Sequence, residues 1–222
     1  MTTFIARAGW IVVAMVFLLL GGFSAKKFFA AFVQAPMVLE TVQLLPEPKP
    51  LPQVLLRTAT GDAFARERFQ HHWNLVFFGF TSCPDFCPLE LQKLGKLLMM
   101  AQQEEKSLQV IFVSVDPERD TAERLAQYVS FFHPAIIGLR GDNPAIASLA
   151  RFFGATYERS AIINERVINI PAGVAMPGIA GEQYQVNHST RVFVIDPQGQ
   201  YIGSVAKADT PEILWADLQK LF

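Results

Sequence analysis

Downstream of residue 52 the chain alternates between two hydrophobic periods. "NLVFFGF" (74–80) and "LQVIFVSV" (108–115) are almost continuously apolar, which predicts strands buried on both faces. Between them Leu89, Leu91, Leu94, Leu97 and Leu98 fall near helical spacing and predict a helix over residues 88–105, with Pro88 tolerated in its first turn. "TAERLAQYVSFF" (121–132) predicts a second helix and "IIGLRGD" (136–142) a short strand and turn. "NPAIASLARFFG" (143–154) reads as a third helix, opened by Asn143 and Pro144 and closed by Gly154. "VLLRTATGDAF" (54–64) has the turn chemistry of an opening hairpin, and "TRVFVIDPQGQYIGSV" (190–205) reads as a later one. An amphipathic helix, "TPEILWADLQKLF", capped by Thr210, ends the chain. Residues 160–182 show no period and read as a long irregular insert.

Strands interleaved with helices and finished by a hairpin and helix predict an α/β domain: a mixed sheet with helices on both faces, in a thioredoxin-like layout. The residues before it differ. Residues 9–25 carry no charge and lie between Arg7 and the pair Lys26 and Lys27, so residues 1–35 read as an N-terminal transmembrane anchor, with a cleaved signal peptide as the alternative. Residues 36–52 contain Pro46, Pro48, Pro50 and Pro52 and read as an extended proline-rich linker to a domain at 53–222. A net charge of −1 with no long basic run excludes nucleic acid as a partner.

The chemistry concentrates in "FFGFTSCPDFCPLEL" (77–91), which holds both cysteines of the chain, Cys83 and Cys87, separated by three residues. They fall at the turn from a core strand to a helix, where the helix N-terminus is expected to favour the Cys87 thiolate. Three readings of the pair stand. A structural disulfide closing so short a loop contributes only about 2 kcal/mol, against about 4.7 for a loop of about 100 residues. A redox dithiol more often has two intervening residues. A soft-metal site for Cu(I) needs a third donor. Of four histidines, His71 and His72 read as polar loop residues and His133 as the cap of a helix end, whereas His188 precedes a core strand beside the cysteine turn.

"FFGFTSCPDFCPLEL", "VSVDPERDT" and "YQVNHSTRVFVIDPQG", in this order behind an apolar N-terminus, resemble the Sco/SenC family of copper chaperones for cytochrome c oxidase assembly. The resemblance implies one copper ion, Cu(I) or Cu(II), bound by Cys83, Cys87 and His188. It also implies an inner-membrane protein whose domain faces the periplasm or the mitochondrial intermembrane space. Its implied partners are the copper-site subunit of the oxidase and a copper-donor chaperone, and its implied work is transfer of the metal. The alternative role is a thiol–disulfide oxidoreductase that reduces the cysteines of that copper site; peroxide reduction of the peroxiredoxin type is a third. Where the family usually has Asp-His-Ser, this chain has Asn187, His188 and Ser189, which removes a carboxylate beside the metal. Asp116 and Asp120 are expected near the site, in a supporting or docking role, although Asp120 also suits a helix cap. The insert reads as a surface flap or a docking loop, Met176 within it as packing or a soft auxiliary ligand, and Asp85 adds charge between the cysteines without being assigned as a ligand.

Overall fold

The computed structural model describes residues 38–53, 55–181, 183–205 and 210–222. The expected anchor, residues 1–35, lies outside them, and among the described residues no helix is long and apolar enough to cross a membrane.

The main sheet has eight strands: β1 (Val42–Pro50), β2 (Leu56–Thr58), β3 (Ala63–Phe64), β4 (Trp73–Gly79), β5 (Leu108–Ser114), β6 (Ile137–Arg140), β10 (Val192–Ile195) and β11 (Gln200–Val205). Their order is β1-β11-β10-β4-β5-β6-β2-β3. The ladders β4–β5 and β5–β6 are parallel and the others antiparallel, so the sheet is mixed as the sequence predicts. A second, antiparallel sheet in the order β8-β7-β9 is built from β7 (Tyr157–Ile163), β8 (Arg166–Pro171) and β9 (Tyr184–His188). The helices are α1 (Phe86–Gln103), α2 (Ala122–Phe132), α3 (Asn143–Phe153) and α4 (Pro211–Leu221).

Strand alternation divides the core. Leu75 and Phe77 of β4, with Val110 and Phe112 of β5, pack against α1, α2 and α4. Their neighbours Val76, Phe78, Ile111 and Val113 point the other way, to α3 and the small sheet. Both faces of β4 and β5 are therefore covered, which explains their uninterrupted apolar sequence.

Four expectations are corrected. The proline-rich stretch is no spacer over Val42–Pro50: it forms β1 and pairs with β11. An edge strand needs donors on one side only, so prolines at every second position are compatible with it. The insert is largely ordered. Ile163 and Arg166 pair across Asn164 and Glu165, both at positive φ, and this two-residue turn closes a β7–β8 hairpin. Helix α1 begins two residues earlier than predicted and takes Cys87 into its first turn. Finally, α2 and α3 are capped by Thr121 and Asp142, whose side chains accept from Arg124 N and Ala145 N, leaving Asp120 and Asn143 turned to other partners.

Candidate metal centre

Cys83 lies in the turn between β4 and α1, Cys87 in the first turn of α1, and His188 at the end of β9. The two sulfurs and a ring nitrogen of His188 all lie within 4.8 Å of one another, the one such cluster among the described residues. Cys87 Sγ and His188 Nε2 are 3.3 Å apart. Cys87 is fully buried while Cys83 is half-buried, so the site has a closed side and an open one. A cleft of about 560 Å³ opens onto it, lined by Phe80, Cys83, Arg119, Tyr184, Asn187 and His188 among others.

Space for the Cys87 sulfur comes from Gly79 at the end of β4. A Cβ there would lie 2.6 Å from Cys87 Sγ and 2.7 Å from the Phe112 ring. The imidazole is held between two aromatic edges, with ring centroids 5.7 Å from Phe80 and 6.0 Å from Phe77. His188 Nδ1 lies 3.0 Å from the Ser189 carbonyl oxygen, which can only accept. Nδ1 therefore carries the proton and the Nε2 lone pair faces the sulfurs, the tautomer a metal ligand requires.

Burial pushes the Cys87 thiol up, overriding a backbone hydrogen bond at Phe80 that acts the other way. The expectation that the helix N-terminus would favour the Cys87 thiolate is thereby reversed, because desolvation of a fully buried sulfur outweighs the partial charge of one helix end. Burial also holds His188 below its ordinary value, against the backbone carbonyls that act to raise it, which favours the neutral imidazole. Cys87 Sγ lies within hydrogen-bonding reach of Nε2, and a soft cation held by these donors would displace the thiol protons.

For a three-coordinate centre with bonds of about 2.3 Å to sulfur and about 2.0 Å to nitrogen, neighbouring donors stand about 3.7–4.0 Å apart. Donors already within 4.8 Å, one pair at 3.3 Å, reach that arrangement by small side-chain adjustments. Two sulfurs and one imidazole make a soft donor set.

A family model described as SCO1/SenC matches residues 52–222. The chain belongs to the SCO1/SenC family. Human protein SCO2 homolog, mitochondrial, is 31% identical over 154 residues, which is 68% of this chain and 52% of that protein. The SCO2-like protein RP587 of Rickettsia prowazekii is 32% identical over 142 residues, 64% of this chain and 62% of that one. The chain thus spans about half to three-fifths of the length of these relatives. Among solved structures, apo Sco1 from Thermus thermophilus superposes with a TM-score of 0.64 at 32% identity, covering 85% of this chain and 99% of that one. Yeast Sco1 with copper bound gives 0.64 at 27% identity, covering 78% and 88%.

The other residues singled out in the sequence take different places from the ligand set. Asp120 is buried and accepts from Thr81 N at 3.1 Å, Thr81 Oγ1 at 2.6 Å and Ser114 Oγ at 2.6 Å, fastening the turn two residues before Cys83. Asp116 is buried too; it accepts from Arg119 Nε at 2.5 Å and from the Tyr184 hydroxyl. Asn187 is exposed on the cleft, opposite Glu158 in the β7–β9 register. Asp85 is exposed and makes no side-chain cap at the start of α1. Met176 packs against the core and does not line the cleft. His133 ends α2, but its ring accepts from Ala135 N instead of capping a carbonyl, and His72 meets Ser107.

Gly79, Glu118, Arg119, Arg159 and Tyr184 were not singled out by the sequence. Glu118 joins Arg159, which is fully buried, at 2.7 Å and also accepts from Asn143 Nδ2 and Met176 N. Only the position of Gly79, ending a core strand directly before the cysteine turn, offered a local signal.

Proposed function

We propose that this chain is a membrane-anchored copper chaperone, binding one copper ion through Cys83, Cys87 and His188 and delivering it to the dinuclear copper site of cytochrome c oxidase during assembly. The observation that carries this reading is the convergence of two cysteine sulfurs and an imidazole nitrogen within 4.8 Å. Family membership supports it, and the solved yeast relative holds copper. The anchor is residues 1–35, with its N-terminus in the cytoplasm or matrix and the domain in the periplasm or intermembrane space. A copper-donor chaperone loads the site, and an oxidase subunit receives from it. Asn187, exposed at the cleft, is assigned to partner docking, and Asp120 to holding the cysteine turn.

The unequal burial of the ligands suits transfer. Cys83 faces the open side, so an incoming ligand exchanges there first, while Cys87 and His188 keep the metal until the acceptor is in place. A second reading is favoured by the same pair of free thiols. As a thiol–disulfide oxidoreductase, the more accessible Cys83 thiolate attacks a partner disulfide and one partner sulfur leaves as thiolate. Cys87 then attacks Cys83 in the mixed disulfide and releases the second. One dithiol is oxidised and one disulfide reduced.

The test is an anaerobic copper titration of the reduced full chain in detergent, in wild-type and His188→Ala forms, followed by absorption and EPR after Cu(II) addition. The expected result is one copper per chain with thiolate-to-copper charge transfer, weakened sharply without His188. Binding that is weak or indifferent to His188, with disulfide reduction intact, would move the assignment to the oxidoreductase.

A further inference from the structure

The three ligands come from two different sheets. Cys83 and Cys87 follow β4 of the main sheet, whereas His188 ends β9 of the small one. Their spacing depends on the short link from His188 to β10, the neighbour of β4, and on what fixes one sheet against the other. A single segment after β5 grips both. Asp120 holds Thr81 on the cysteine side. Glu118 holds Arg159 of β7 and the backbone N–H of Met176. Asp116 and Arg119 together hold Tyr184, the first residue of β9.

The grip on Tyr184 engages its hydroxyl, its carbonyl oxygen and its ring. Its hydroxyl donates to Asp116, and its carbonyl oxygen accepts from Arg119 Nη1 at 3.1 Å. The Arg119 guanidinium also lies 3.8 Å from the centre of its ring. The same guanidinium is 5.8 Å from the Phe80 ring, whose centroid stands 5.7 Å from that of His188. Strand β9 carries the constraint onward: it pairs with β7 from Tyr184 opposite Ala161 to His188 opposite Tyr157, as a rigid piece rising about 3.3 Å per residue. A displacement at Tyr184 therefore arrives at His188.

We infer that the turn spanning residues 116–120 sets the distance between the cysteine pair and His188, with Arg119 the positioning residue for the imidazole. Asp116 orients Arg119, and Tyr184 is the handle it grips. This inference rests on the metal-site reading for its consequence in copper binding, but the geometry it asserts exists in the metal-free protein.

The experiment uses the reduced full chain in detergent with Arg119→Lys and Tyr184→Phe, each alone and combined with His188→Ala. Lysine keeps the charge but loses the planar fork; phenylalanine loses only the hydroxyl. Titrated with Cu(I) and Cu(II), Arg119→Lys is expected to weaken binding about 10- to 100-fold and to shift the thiolate-to-Cu(II) absorption band, Tyr184→Phe shifting it less. In the His188→Ala background the same substitution should add less than about twofold, since it acts through the residue already removed. NMR of the metal-free protein supplies the second arm: nuclear Overhauser contacts between the His188 and Phe80 rings should weaken in Arg119→Lys. An equal loss of affinity in both backgrounds, or ring contacts unchanged from wild type, would overturn the inference. Absence of His188-dependent copper binding in the wild type rejects the chaperone reading, and the ring contacts then decide this inference alone.

Discussion

Gly79→Ala tests how tightly the buried half of the site is packed. Gly79 shares a strand face with Leu75 and Phe77, and the room its missing side chain leaves is taken by Cys87 Sγ. A Cβ would sit 2.6 Å from the sulfur and 2.7 Å from the Phe112 ring. Ordinary non-bonded contact begins near about 3.5 Å, so the sulfur must retreat by about 1 Å. Phe112 has little freedom to yield instead, being fully buried and flanked by the rings of Phe77 and Tyr128. Metal–ligand bonds tolerate about 0.2 Å, so a retreat of that size removes Cys87 from the reach at which it binds with Cys83 and His188. The expected cost is about 1–3 kcal/mol in unfolding free energy, the usual range for overpacking. Copper affinity should fall at least about tenfold, as when the support of a ligand is disturbed. Urea unfolding of the metal-free chain gives the first number and anaerobic copper titration the second. Gly178→Ala, whose Cβ would meet nothing within 4 Å, serves as control. Wild-type stability and wild-type affinity in Gly79→Ala would refute the packing argument.

Further outcomes follow from other parts of the fold. Asp217 is held down to about 2: burial acts to raise it, but the Thr41 and Glu40 backbone N–H groups, Lys220 and the Thr41 hydroxyl outweigh burial. Its folded value lies below the unfolded one, so its stabilisation, on the order of 1–2 kcal/mol after solvent screening, is present above about pH 4 and lost as the pH falls toward 2. Asp217→Asn should flatten that acid limb in urea unfolding followed from pH 6 to pH 2; an unchanged limb would count against the tie between α4 and the start of β1. Glu118→Ala leaves the buried Arg159 guanidinium without its carboxylate, and guanidinium chloride unfolding should register a loss of about 3–5 kcal/mol, with faster proteolysis between β8 and β9. Tyr128→Phe removes a buried hydroxyl that has no hydrogen-bond partner among the described residues and should raise stability by about 1 kcal/mol; a clear destabilisation would mean that the hydroxyl is satisfied.

What could be read from the sequence follows the range of the forces involved. Strands β4 and β5 and the helices were legible because burial on two faces or one stripe writes a short-period pattern into neighbouring residues. Cys83 and Cys87 were legible because a strand-to-helix turn brings them together locally, and His188 because strand order places it beside that turn. The β7–β8 hairpin was not, since Asn164 and Glu165 adopt the left-handed conformation without the Asn-Gly pair that normally announces such a turn. Nor was β1, whose prolines argue against a strand until its place at the sheet edge is known. The segment "DPERDT" shows the deepest difference. In sequence its charges look like a solvated turn, yet Asp116 and Asp120 are fully buried and Glu118 neutralises a fully buried arginine. An unpaired charge inside a protein costs several kcal/mol, so each of these groups has to find a partner, and the partners lie on different sheets. Burial thus turns a polar turn into the joint between the half of the site that carries sulfur and the half that carries nitrogen, a role that resides in long-range pairing and leaves no periodic trace along the chain.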